Sequence, residues 1–251
     1  MIQDDFFSAL SSAEKAVVLT GAGVSTLAGI PDFRGKNGIY NQSTLHMGYP
    51  VEEIFDIDLF TAHPEVFYSY AKDHIYTMTD HTPSLIHTVL AQLEARGIIK
   101  ALYTQNIDLL HTKAGSKAPG ELHGSLQDHR CLDCGKIHTL QEIRNTIDSG
   151  AVPRCKCGGL IKPEVVFFGE ELPAKLLEKA FCDMRDADFL LVLGSSLTVA
   201  PVSSLPWHFV MHCGNLAIVN EQPTEIDRRA KWKFCDLQEF ALRTQQFFQL
   251  D

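Results

Sequence analysis

The sequence predicts an α/β protein built on a doubly wound parallel sheet, with a small metal-binding module inserted into it. Three observations carry this. Short apolar runs near positions 17, 100, 165, 189 and 216 alternate with stretches of helical periodicity, and most of them end in small or polar residues. The first run leads straight into a glycine pair, Gly21-Ala22-Gly23, as a strand does when it delivers the backbone to a tight turn. Two cysteine pairs, Cys131-x-x-Cys134 and Cys155-x-Cys157, interrupt the alternation.

Composition bounds what such a protein can be. With 251 residues, 45% of them hydrophobic, and a mean hydropathy of -0.03, the chain can bury a full core. No apolar run approaches the ~18 residues of a membrane span, and the N-terminal Met1-Ile2-Gln3-Asp4-Asp5 is acidic where a signal peptide is basic. A cytoplasmic protein without a membrane partner is expected. The formal net charge of -9 argues against direct nucleic-acid binding and suits a basic substrate such as a lysine-rich segment. Seven cysteines, an odd number, predict reduced thiols and a metal site, not a disulfide framework.

Taken in order, the elements follow from periodicity. Asp4 to Lys15 carries Phe6, Phe7, Leu10 and Ala13 at helical spacing, ahead of a strand at Ala16 to Thr20. The segment 36–80 is expected to be a flexible loop and helical excursion, because its polar, glycine-containing start gives way to Phe67 and Tyr70 on one helical face. Pro83 to Arg96 reads as a helix with Gly97 as its terminator, followed by a strand at Ile98 to Thr104. That strand runs into Gln105-Asn106-Ile107-Asp108, where polar side chains either face a ligand or cap the next helix; both readings stand. His123 precedes Gly124 in a third strand-like piece. Leu140 to Asp148 is helical, Lys162 to Glu170 is an apolar strand ending in Gly-Glu, and Pro173 to Met184 is a helix. Ala187 to Ser196 reads as a buried parallel strand ending in glycine and hydroxyl residues, Leu216 to Glu221 repeats the pattern, and Asp236 to Phe248 reads as a terminal helix.

The cysteine spacing matches a zinc knuckle, except that the second pair has one intervening residue where two are usual. Four thiolates, Cys131, Cys134, Cys155 and Cys157, would close a tetrahedral shell and make the zinc structural. A redox dithiol is the competing reading, and the second pair disfavours it.

In order and spacing, Gly21-Ala22-Gly23-Val24-Ser25, Gly29-Ile30-Pro31-Asp32-Phe33-Arg34-Gly35, Thr104-Gln105-Asn106-Ile107-Asp108, His123-Gly124, the four cysteines, Phe168-Gly169-Glu170 and Gly194-Ser195-Ser196-Leu197 resemble the sirtuin family of NAD-dependent protein lysine deacylases, and Ile54-Phe55-Asp56-Ile57-Asp58-Leu59-Phe60 and Cys235-Asp236-Leu237-Gln238-Glu239-Phe240 are similar to its bacterial, undifferentiated class. The resemblance spans nearly the whole chain. It implies a Rossmann-like NAD-binding domain (1–35, 81–128 and 163–251), with 36–80 as the excursion and 129–162 as the zinc-binding module. It further implies NAD as co-substrate and one structural zinc ion. NAD contacts would come from Gly21, Ala22, Gly23, Ser25, Thr26, Asp32, Phe33, Arg34, Gln105, Asn106, Ile107, Asp108, His123, Gly194, Ser195, Ser196, Asn220, Glu221 and Asp236. His123, Asn106 and Asp108 would be catalytic, while Val165, Phe168, Gly169, Glu170 and Val199 would receive the acetylated protein substrate. The implied reaction deacetylates acetyl-lysine and yields nicotinamide, O-acetyl-ADP-ribose and free lysine; protein ADP-ribosyl transfer and removal of longer neutral acyl groups are the alternatives. Relatives that prefer succinyl groups carry a Tyr-x-x-Arg pair, and here Tyr68 is followed by Ala71, so an acidic acyl group is not expected. Glu221 stands where an apolar residue is common in the family.

Overall fold

The computed structural model describes residues 4–33, 38–39, 45–212 and 214–250. Besides a two-residue hairpin that pairs Leu45–His46 with Tyr49–Pro50, its strands are β1 (Ala16–Thr20), β2 (Ile99–Thr104), β3 (Gly120–Glu121), β4 (Gly124–Cys131), β5 (Ile137–Thr139), β6 (Ile161–Val165), β7 (Phe189–Leu193), β8 (Asn215–Val219) and β9 (Trp232–Phe234). Its helices are α1 (Asp4–Ser12), α2 (Gly23–Thr26), α3 (Ile57–Ala62), α4 (Pro64–His74), α5 (Leu85–Ala95), α6 (Leu110–Lys113), α7 (Leu140–Asp148), α8 (Ala174–Asp186), α9 (Leu205–Val210) and α10 (Leu237–Phe248).

Six strands form one sheet in the order β9-β8-β7-β1-β2-β3, and every pairing in it is parallel. Alternate side chains feed opposite faces. Val18, Leu191 and Ala217 pack with Phe6, Phe7, Leu90 and Phe240, beneath α1, α5 and α10. Val17, Leu19, Leu190 and Val192 pack with Met184, Leu205 and Phe209, beneath α8 and α9. Chain order reverses between β1 and β7, so a crevice opens beyond their carboxyl ends, the place where doubly wound sheets take ligands.

The apolar run near 165 does not join this sheet. Instead β6 pairs antiparallel with β4, which also pairs antiparallel with β5. The run is apolar because it packs against the excursion: Ile161, Val165 and Phe167 share one core with Phe55, Phe60, Phe67 and Tyr68. The expected module limits at 128/129 and 162/163 therefore fall inside β4 and β6. Two smaller expectations also shift. The first helix stops at Ser12, and Leu109 takes a left-handed φ of 68°, so the helix after Asp108 begins at Leu110.

Candidate active site

The floor of the crevice is built by backbone touching backbone. Gly21 N–H donates to Leu193 O at 2.9 Å, and Gly23 N–H donates to Gly194 O at 2.8 Å. A Cβ on Gly21 would lie 2.7 Å from Gly194 O, and one on Gly194, whose φ is +59°, would lie 2.5 Å from Val24 N. These glycines are required for the contact between two strand-end turns. Their N–H groups are spent there, so the pair keeps the floor clear of side chains and is not itself the donor set for a diphosphate.

The end of β2 supplies the polar wall. Asn106 donates both amide hydrogens, to Gly21 O at 3.1 Å and to Ser25 Oγ at 3.0 Å. Ser25 Oγ donates in turn to Asp108 Oδ2 at 2.6 Å, while Asp108 Oδ1 accepts from Leu110 N–H at 2.9 Å. Asn106 is thus fixed with only its Oδ1 left to offer. Gln105 Nε2 donates to Ser195 Oγ at 2.7 Å.

His123 stands on the link between β3 and β4, where the two sheets meet. Its Nδ1 lies 3.0 Å from Gln105 O; a carbonyl only accepts, so Nδ1 carries a proton, and in the neutral ring Nε2 is the nitrogen able to accept one. Behind it, burial pushes Glu121 up to about 7, with the Asp108 and Asp128 carboxylates acting in the same direction and a Ser125 hydrogen bond opposing it.

Of these groups, Gln105, Asn106, His123 and Ser195 open on one cavity of about 1080 Å³. Of the residues expected to bind ligand, the cavity wall includes Gly21, Ala22, Gly23, Thr26, Asp32, Phe33, Gln105, Asn106, Ile107, His123, Gly194, Ser195, Ser196, Asn220, Glu221 and Asp236. Val165, Phe168, Gly169, Glu170 and Val199 line it as well. Ser25 and Asp108 stand one layer behind, and Arg34 lies outside the described residues. The Asp236 carboxylate caps α10, accepting from Gln238 N–H at 2.8 Å and Glu239 N–H at 2.9 Å. The Glu170 carboxylate also points away from the cavity, to Phe167 N–H and Lys162 Nζ, each at 2.8 Å. Tyr68 is fully buried and donates to Ile161 O at 2.6 Å, so neither it nor Ala71 reaches the cavity.

Leu27, Phe55, Gln222, Cys235 and Gln238 also line the cavity. Gln222 was legible in principle, three residues beyond a strand end that faces the crevice; the others are placed by tertiary packing. Among the described lining residues there is no lysine or arginine, and the acidic ones whose carboxylates are not spent on Lys162 or a helix cap as above are Asp32, Glu171 and Glu221.

The four cysteines converge beside the small sheet. Cys131 Sγ and Cys157 Sγ are 3.5 Å apart, Cys134 Sγ and Cys155 Sγ 3.8 Å apart, and all four sulfurs lie within 4.8 Å of one another. A tetrahedron with Zn–S of about 2.3 Å has edges of about 3.8 Å, so the set fits zinc. The short Cys155-x-Cys157 pair is accommodated by a turn in which Gly158 N–H donates to Cys155 O and Cys155 N–H to Gly159 O, both at 2.9 Å. Gly159 is required here, since a Cβ on it would lie 2.6 Å from Cys131 Sγ.

The chain is similar over its whole length to known proteins. A sequence profile described as the Sir2 family matches residues 21–201. An NAD-dependent protein deacetylase of Thermotoga maritima is 44% identical over 248 residues, 98% of each chain. A Sir2 structure with a deacetylated p53 peptide and 3'-O-acetyl ADP-ribose matches with a TM-score of 0.92 at 42% identity, over 100% of both chains. A Sir2–p53 peptide–NAD+ structure matches with a TM-score of 0.89 at 42% identity, over 99% of both chains.

Proposed function

The chain belongs to the Sir2 family, and from that premise we infer that it removes acetyl groups from lysines of proteins at the expense of NAD, releasing nicotinamide, O-acetyl-ADP-ribose and free lysine. The observation that carries the reading is His123, with Nδ1 committed to Gln105 O and its ring in the wall of a cavity at the strand-order reversal.

NAD and one water complete the balance: loss of nicotinamide leaves an ADP-ribosyl group to which the acetyl group passes, and water replaces the departing lysine amine. The residues divide the remaining work. Asn106 Oδ1, an acceptor on a clamped side chain, favours positive charge growing on the ribose, and Ser25 and Asp108 hold it in place. His123 Nε2 takes the proton of a ribose hydroxyl. Phe33 shields the reacting atoms from water, and Val165 and Val199 form an apolar wall for a neutral acyl chain. The acetylated peptide pairs by strand addition beside Gly169 and Val199.

The expected partners are acetylated proteins and not nucleic acid, in keeping with the formal charge of -9. A cytoplasmic setting follows from four thiolates that need a reducing compartment. Among the described residues no helix is long and apolar enough to cross a membrane.

Incubation with an acetylated peptide and NAD should release nicotinamide and deacetylated peptide in equal amounts. Absent or NAD-independent turnover overturns the reading, and NAD-derived label on a protein acceptor without loss of acetyl groups replaces it with ADP-ribosyl transfer.

A further inference from the structure

Close to the substrate side of the cavity, the protein buries a lysine. Lys162 lies in β6 with its side chain 6% exposed, donating to Pro163 O at 3.1 Å and Val165 O at 2.7 Å. It pairs with Glu170 Oε2 at 2.8 Å, and its ammonium sits 4.2 Å from the centre of the Phe167 ring. A buried ammonium is tolerated only when it is paired in this way, and burial lowers the pKa of Lys162 while Glu170 opposes the change.

The ion pair braces a turn. Glu170 N–H donates to Phe167 O at 3.0 Å, and Gly169, between them, has a φ of +91°. The Glu170 carboxylate closes the same turn from the other end by accepting from Phe167 N–H at 2.8 Å. Its outer edge is held by Phe168 N–H to Phe55 O at 2.7 Å and Ile57 N–H to Phe168 O at 3.0 Å. Just before the turn, Val166 N–H donates to His123 O at 2.9 Å, so the segment also steadies the backbone of the candidate base. Phe168 and Gly169 line the cavity; Lys162 does not.

We propose that Lys162 is the positioning residue of the peptide-binding wall: through Glu170 its ammonium holds the Phe167–Glu170 turn in the shape against which the acetylated peptide docks, without touching substrate. This rests on the deacetylase reading. A lysine buried for stability alone is replaceable by an apolar side chain of similar volume. Lys162 instead spends its contacts on the segment that leads into one turn, and that turn is part of the cavity wall.

Steady-state kinetics with acetylated peptide and NAD varied separately test the proposal on the wild type, Lys162→Met, Glu170→Gln and the double variant, with zinc content and melting temperature recorded. Lys162→Met should raise KM for peptide about tenfold and leave KM for NAD within about twofold. Glu170→Gln, which keeps the lysine on its two carbonyls, should raise peptide KM less, and the double variant should be no worse than Lys162→Met, because both cut one link. An unchanged peptide KM, or peptide and NAD constants rising together, overturns the proposal. If Lys162→Met does not fold, Glu170→Gln decides alone, and an unchanged peptide KM again overturns it. Wild-type protein without NAD-dependent turnover fails the deacetylase reading itself, a result distinct from any of these.

Discussion

The two sheets are held together by different forces. In the large sheet every residue of β1 and β7 is buried, and the alternating side chains lock into an apolar core on each face. The small sheet has no such pattern. Its central strand β4 reads Gly-Ser-Leu-Gln-Asp-His-Arg-Cys, with only Leu126, His129 and Cys131 buried. Beyond the apolar core that Leu126, Ile161 and Val165 share with the excursion, it is fixed by specific contacts: four converging sulfurs, His129 Nε2 at 2.9 Å from Tyr76 Oη, and the Lys162 ion pair. One half of the molecule is specified by pattern and tolerates local change, while the other depends on individual atoms. His123 hangs on the link between them, so its placement inherits the weaker half.

Metal removal separates the halves most strongly. Structural zinc is worth about 10–16 kcal/mol in small domains, so chelation or Cys131→Ser should unravel β4–β6 and abolish turnover. Both tryptophans lie on the large-sheet side, Trp232 in β9 and Trp207 in α9, so their fluorescence should hold while limited proteolysis opens the module. Metal-free protein that keeps its activity would break the comparison.

His123→Ala should lower kcat/KM about a hundredfold to ten-thousandfold, the range for loss of a general base. NAD binding, measured by titration calorimetry, should persist, because the crevice floor belongs to the large sheet. Unaltered turnover would remove His123 from the chemistry.

At the join itself, Gly124 has a φ of +77°, and a Cβ there would lie 1.9 Å from Glu164 O. Gly124→Ala should cost about 3 kcal/mol or more in a urea melt and reduce activity by displacing His123. Gly48, with a φ of +88° and nothing within 4 Å, is the control and should cost about 1 kcal/mol on replacement by alanine. Equal costs would mean that the contact between β4 and β6 contributes nothing.

The same division explains what the sequence made legible. β1, β2, β7 and β8 and their helices are readable because burial on both faces writes continuous apolar runs. The strands β4 and β5 are not, since polar residues held by sulfur and histidine contacts carry no period, and β9 is only three residues long. The run at Ile161–Val165 looks like a parallel strand because local composition cannot say which sheet it joins. Within the site, most of the residues singled out by type line one cavity, but the direction of a carboxylate is a tertiary fact. Asp236 turns to a helix cap and Glu170 to a buried lysine.

Acid should probe the large sheet through two buried histidines beneath the end of β1. His111 Nε2 lies 2.9 Å from Thr20 Oγ1, His87 Nδ1 lies 2.9 Å from Ser84 Oγ, and the two rings are 4.8 Å apart. Burial holds His87 down at about 4, with Asp108 opposing it, and burial together with the neighbouring His87 holds His111 at about 3. Both folded values lie below the ordinary 6.5, so as pH falls through 6.5 the unfolded chain takes up protons that the folded chain refuses. Stability contributed by these groups is therefore complete above pH 6.5, declines toward pH 4, and stops declining once the folded histidines protonate as well. The loss from pH 7 to pH 4 is on the order of 3 kcal/mol for one such histidine. Urea melts followed by tryptophan fluorescence should show this decline in the wild type and a shallower one in His87→Leu, which has one titrating group fewer. Because the fluorescence reports the large sheet, an equally steep decline in the variant would mean that the acid sensitivity reaches the large sheet from elsewhere in the molecule.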